Sequence, residues 1–353
     1  MKKLLRGGFV VTPRGSRRAD VLLDGEKIAQ VGHISPAEAK SAEVTDVSGC
    51  YLFPGFIDAH THFDLDVCNT TTADDFASGT RSAIRGGTTT VIDFACPNKG
   101  ESLAYGLDLW HKKADGKCYC DYGFHMTIDD WNPGIEAEID DMYAAGISSF
   151  KMYMTYPAMM IGDEAMYHAL KKLKEKGGIC GVHCENAGVI DALIAEKKAA
   201  GENGVHCHPE TRPDIMEAEA VGRLLRIAEQ VDVPVVIVHT TNIEALDEIA
   251  NARWRGQKVF VETCPQYLIL DDSVYYNEDW LQAAKYVCSP PIRKPADREA
   301  LSKTLAPLLS DASIFGVDLI SAGLSDRVLD AFVSMLHGPG AVADTLAALT
   351  AQF

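Results

Sequence analysis

The chain is 353 residues long, 47% hydrophobic and 24% charged, and its formal net charge is -17. This is the make-up of a soluble globular protein with a sizeable core, and α/β barrels of this length fold as one unit. The acidic balance argues against a nucleic-acid partner, because polyanion binding needs lysine or arginine patches that displace counterions.

The chain starts MKKLLRGGFVV. Basic residues and leucines are present, but Arg6-Gly7-Gly8 interrupts any apolar signal segment, and no run in the chain reaches membrane-spanning length. The expected compartment is the cytoplasm, with no membrane partner. The ten cysteines are scattered. Cys180, Cys184, Cys264 and Cys288 sit in or beside apolar strand-like runs, where a free thiol packs as a small hydrophobe, so the cysteines are read as reduced. Cys118 and Cys120 have neither CxxC spacing nor a second pair, so they make a poor structural zinc site.

Residues 1–53 read as a small all-β portion: LLRGGFVVTP, then ADVLLDGEKIAQVG, with Asp24-Gly25 as a hairpin signal between alternating apolar positions. From residue 54 to 353 apolar runs alternate with helical segments. Strand candidates fall at residues 55–63, 88–95, 120–128, 147–154, 178–185, 233–241, 258–265 and 313–321. The helical segments include DEAMYHALKKLKEK, closed by Gly177, and EAEAVGRLLRIAEQV. Eight such βα units predict an α/β fold, a (β/α)8 TIM-like barrel.

Barrels of this kind place their chemistry at the C-terminal ends of the strands. His60 and His62 end the first candidate strand, two apart and so on one side, with Asp58, Asp64 and Asp66 around them. Lys151 lies in the fourth strand, His183 near the end of the fifth, His239 near the end of the sixth and Asp318 near the end of the eighth. Each alone has an ordinary explanation: a rim histidine, a hydrogen-bonded structural histidine, or a helix-capping aspartate. Lys151 is harder to explain this way, because FKMYM surrounds its ammonium with apolar neighbours and makes a free charge there costly.

Together these residues predict a metal centre. Imidazoles and carboxylates suit zinc, though manganese, iron or cobalt would also be accepted. Four histidines and an aspartate exceed what one catalytic zinc needs, so two ions are expected. Ions about 3.5–4 Å apart need a bridging anion. A neutral lysine that adds carbon dioxide becomes a carbamate with two oxygens, one for each metal, and so Lys151 is expected as N6-carboxylysine.

The segments FPGFIDAHTHF, TADDFASGTRSAIRGGTTTVIDF, SFKMYMTYPAMM, GVHCENAGVI, VVIVHTTNIEAL, VFVETCPQYLILDDSVY and KYVCSPPIR resemble the cyclic amidohydrolases, most closely the D-hydantoinase and dihydropyrimidinase branch. The resemblance runs almost continuously to about Arg293. It implies a barrel with a small β-sandwich, two zinc ions, and hydrolysis of the ring amide of hydantoins or 5,6-dihydropyrimidines to N-carbamoyl amino acids. By position, His60 and His62 bind one metal, His183 and His239 the other, and the Lys151 carbamate bridges them. Asp318 completes the first metal's shell and moves the proton while a metal-bridging hydroxide attacks the ring carbonyl. The resemblance also implies that Tyr156 donates to the developing oxyanion and that the Ser289 backbone holds the imide edge of the substrate, beside Pro290 and Pro291. Val67, Tyr153 and Met160 are expected to face the exocyclic substituent. The substrate is a small cyclic imide or ureide, and a homo-oligomer, dimer or tetramer, is expected.

The pattern departs from the family after about Asp311. The run Gly316-Val317-Asp318-Leu319 lacks the family's histidine, and His337-Gly338-Pro339-Gly340 stands where relatives have Asn-Gly-x-Pro-Gly. The chain also stops at Phe353, so the C-terminal part of the family fold is expected to be missing, through shortening, natural variation or degeneration. Two alternatives therefore stay open: a dihydroorotase- or allantoinase-type amidohydrolase, and a non-catalytic dihydropyrimidinase-related assembly protein.

Overall fold

The structure, a computed structural model, describes residues 1–12, 15–67 and 70–309. The described residues fall into two compact units, 1–57 and 58–308.

The first unit is built on strands β1 (Lys2–Thr12), β2 (Gly15–Asp24), β3 (Lys27–Gly32), β4 (Glu43–Asp46) and β5 (Tyr51–Leu52). The order is β3-β2-β1-β4, with β5 also pairing β1. The pairs β1–β2 and β2–β3 are antiparallel, whereas β4 and β5 run parallel to β1. Period-two alternation buries Val21 with Val10 and Ala19, while the next residue, Leu22, packs with Leu4 and Ile34. Consecutive strand residues point to opposite faces, so this one sheet has a small core on each side.

The second unit holds the α/β architecture. Its strands are β6 (Phe56–Thr61), a short pair β7 (Asp66–Val67) and β8 (Thr70–Thr71), then β9 (Thr88–Ala95), β10 (Asp121–Thr127), β11 (Ser149–Tyr153), β12 (Ile179–His183), β13 (Val235–Ile237) and β14 (Val259–Val261). The order β14-β13-β12-β11-β10-β9-β6 is sequential, and the pairs from β9 through β14 are all parallel. These are seven of the eight strands predicted for the (β/α)8 barrel; the eighth candidate, 313–321, lies outside the described residues, as does Asp318. Several strands are shorter than predicted. The segment 233–241 forms only three paired residues, because the chain turns at His239, which has φ +38°.

Helices join the strands: α1 (Phe76–Arg85), α2 (Leu103–Ala114), α3 (Pro133–Ala144), α4 (Asp163–Lys176), α5 (Ala187–Ala199), α6 (Cys207–Thr211), α7 (Asp214–Val231), α8 (Ile243–Trp254), α9 (Pro265–Ile269), α10 (Trp280–Ala284) and α11 (Pro295–Leu309). Asp75, Ser102, Asn132, Asn186 and Asn242 cap α1, α2, α3, α5 and α8 through their side-chain oxygens. Each such cap contributes about 1 kcal/mol. Helix α4 ends at Gly177 in the left-handed conformation, φ +70°, as the sequence predicts. The inner faces of α2, α3, α4, α7 and α8 supply Leu107, Ile139, Leu170, Leu224 and Ile249 to one continuous core with Met126, Phe150, Val182 and Val235 from the sheet. No helix among the described residues is long and apolar enough to cross a membrane.

Candidate active site

The ends of the strands bring His60, His62, Lys151, His183 and His239 into the wall of one cavity of about 900 Å³. The imidazoles form a chain of neighbours. Ring centroids are 5.2 Å apart for His60–His62, 5.4 Å for His60–His239 and 4.5 Å for His183–His239. Lys151 Nζ lies 5.1 Å from the centroids of both Phe94 and Tyr153, and Phe94 in turn stacks on His62 at 4.9 Å.

Local structure explains why these groups stay in place. Asp93, at the middle of β9, accepts from Thr61 Oγ1 (2.8 Å), the Phe63 amide (2.9 Å), Trp110 Nε1 (2.8 Å) and the Phe94 amide (2.9 Å). It thereby fixes the residues on either side of His62. Burial pushes the Asp93 carboxyl up to about 6 even with those donors. His60 meets Glu262 through Nδ1, at 2.6 Å, and the same carboxylate accepts the His239 amide at 3.1 Å. His183 meets Glu185 through Nε2, at 2.6 Å, and Arg212 Nη1 reaches that carboxylate at 2.9 Å.

A carboxylate only accepts, so the facing ring nitrogen of each histidine donates, and a neutral ring then keeps a lone pair on its other nitrogen. Burial holds His183 below the usual imidazole range against the pull of Glu185, and it holds His62 and His239 well below that range. Burial alone would raise Glu185, but the His183 hydrogen bond and the charge of Arg212 outweigh it and bring the carboxyl down to about 2. The result is a set of ligand-ready imidazoles, with anions fixed behind His60 and His183.

Lys151 is fully buried, and burial lowers its amine to about 8. Among the described residues its Nζ has no hydrogen-bond partner, and neither do the buried Nδ1 atoms of His62 and His239. Leaving a buried polar atom unsatisfied costs about 1–3 kcal/mol. Three such atoms in one cavity, among neutral imidazoles, fit a cation-binding donor set; they do not fit a packed core.

Tyr156 also lines the cavity, with its ring 5.2 Å from that of His183 and the Arg212 guanidinium 5.3 Å from its centroid. It has φ +68°, a region a bulky residue enters only when its surroundings impose it. The amides of Met159 and Met160 both donate to its carbonyl at 2.8 Å. Ser289 lies in the same wall, before a cis bond to Pro290. Val67 and Tyr153 line the cavity as expected. Of the two methionines at the third position, Met159 lines the cavity and Met160 does not.

Sequence reasoning passed over four residues here. Glu185 stands two residues after His183, so strand parity already aligned it. Glu262 immediately follows β14, where the strand-end rule applied equally. His125, in β10, is buried between Ser149 Oγ (2.6 Å) and the Ala59 carbonyl (2.9 Å), and burial lowers it to about 4. Arg212 sits outside any strand and left no periodic signal.

Residues 51–266 match the Amidohydrolase family, and the chain belongs to that family. Among its relatives, a D-hydantoinase of Streptomyces coelicolor is 41% identical over 86% of this chain and 66% of its own length. Dihydropyrimidinase 2 of Caenorhabditis elegans is 39% identical over 87% of this chain and 59% of its own. The crystal structure of a dihydropyrimidinase from Brevibacillus agri matches with a TM-score of 0.84 at 41% identity, covering 87% of this chain and 66% of that one. These likenesses put the chain in the hydantoinase and dihydropyrimidinase branch. It spans just under two thirds of the length of these relatives.

Proposed function

We propose that the protein hydrolyses the ring amide of hydantoins or 5,6-dihydropyrimidines to N-carbamoyl amino acids, using two zinc ions and a carboxylated Lys151. The observation that carries the reading is Lys151: a fully buried amine, without a hydrogen-bond partner among the described residues, in one cavity with four histidines. With its amine near 8, roughly a tenth of Lys151 is neutral at pH 7, against on the order of one in three thousand for an ordinary lysine. The neutral amine attacks carbon dioxide, forms the N–C bond and releases one proton, which replaces an unpaired buried base with an anion.

His60 and His62 would hold one ion, His183 and His239 the other, with the Lys151 carbamate between them and Asp318 completing the first shell. When bound, such a pair polarises the substrate carbonyl and supplies nucleophilic water near neutral pH. The remaining steps belong to the chain's own residues. Tyr156 donates its hydroxyl to the oxygen that gains charge. Asp318 accepts a proton and passes it to the leaving ring nitrogen. The backbone of Ser289 holds the imide edge, and Val67, Tyr153 and Met159 face the exocyclic group. Glu262 and Glu185 keep His60 and His183 turned with their free nitrogens available. The same reading includes a cytoplasmic, homo-oligomeric enzyme; its thiols, such as Cys180 and Cys184, are free and buried in the core.

The test is a ring-opening assay of the purified chain with zinc and bicarbonate on hydantoin, dihydrouracil, allantoin and dihydroorotate. Turnover of hydantoin or dihydrouracil is expected. Turnover confined to allantoin or dihydroorotate would move the protein to those activities, and a metal-free, inactive assembly would place it with the non-catalytic relatives.

A further inference from the structure

A second group of metal-ligand side chains stands apart from the strand ends. After α5 the chain presents Glu202, His206, Cys207 and Glu210, whose ligand atoms all lie within 4.8 Å of one another. We propose that they form a separate binding site for a zinc-class divalent cation, with one thiolate, one imidazole and two carboxylates as ligands.

The chemistry of the set is selective. Thiolate and imidazole favour zinc over magnesium or calcium, and four donors match its tetrahedral habit. His206 Nε2 and Cys207 Sγ are 3.7 Å apart. Two ligands held about 2.0 and 2.3 Å from a tetrahedral zinc are separated by about 3.5 Å, so this edge is already within about 0.2 Å of its bound length.

Two further features point the same way. The imidazole of His206 folds back over Gly204: a Cβ there would stand 2.5 Å from Nδ1 and 2.3 Å from Cε1, so any other residue would force the ring out of the cluster. The two carboxylates already converge on a cation, because Lys197 Nζ lies 2.6 Å from Glu202 Oε2 and 2.7 Å from Glu210 Oε2. A divalent ion with two additional ligands outcompetes one half-buried ammonium, whose pairs with two exposed carboxylates contribute little in water. Cys207, Glu202 and Lys197 all line the cavity that holds Lys151, so occupancy frees the Lys197 ammonium within the wall of that cavity.

The experiment is titration of the chain, stripped of metal, with cobalt(II), following near-ultraviolet absorption. Thiolate-to-cobalt charge transfer reports cysteine ligation, which the histidine and lysine donors of the other centre cannot give, so the readout stands whether or not ring opening is observed. One such site per chain is expected, lost in Cys207→Ser and at least about tenfold weaker in His206→Ala, with far-ultraviolet circular dichroism unchanged. Lys197→Met should tighten binding by up to about tenfold, because the competing ammonium is gone. A thiolate band that survives Cys207→Ser, or no band at all, overturns the proposal; so does unchanged or weaker binding in Lys197→Met.

Discussion

The two clusters in the wall of the cavity hold similar side chains and treat them differently. At the strand ends, His183, His239 and Lys151 are buried, burial depresses all three, and carboxylates behind His60 and His183 fix those two rings. From the end of α5 through α6, Glu202 and Glu210 are exposed and share the ammonium of Lys197. The first arrangement is preorganised and unsatisfied; the second is satisfied by its own chain until a better cation arrives. Burial thus decides which cluster needs an ion and which can only accept one.

The contrast can be broken most severely at its centre. Lys151→Ala should abolish loading of the inner centre and lower ring opening by about 10³-fold or more, since the metal pair contributes several kcal/mol of charge stabilisation. Small carboxylic acids should restore part of both. Tyr156→Phe should lower kcat by about 10²–10³-fold with metal content unchanged, the loss expected for one oxyanion donor. Arg293 donates to Glu217 at 2.9 Å in a buried pair below the Ser289 loop; Arg293→Met should cost about 3–5 kcal/mol in denaturant unfolding, because it strands a buried carboxylate. Glu262→Gln keeps the shape but loses the anion behind His60, and metal affinity should fall about 10–100-fold in a chelator competition. At the outer cluster, Glu210→Gln should change stability by less than about 0.5 kcal/mol, as expected for an exposed pair. If that variant melts as severely as Arg293→Met, the division between the two clusters is wrong.

Much of this was legible in the sequence because strand parity and the strand-end rule act locally. His60 and His62 are two apart and must share a side; Lys151 stands out because FKMYM leaves its charge no apolar excuse. Glu185 and Glu262 were open to the same reasoning, but acidic residues are common at strand ends and only a facing imidazole gives them meaning. Arg212 reaches Glu185 from a turn after α6, across 27 positions, and no periodicity encodes that approach. His206 and Cys207 look like ordinary loop residues until Gly204 and the end of α5 bring the two glutamates beside them.

The central claim is most directly tested at Lys151 itself. Zinc-loaded protein prepared with ¹³C-bicarbonate should give a carbamate resonance in ¹³C NMR at about one label and about two zinc ions per chain, and the resonance should vanish in Lys151→Ala. Two zinc ions bound with no carbamate signal, or a signal that persists without Lys151, would contradict it.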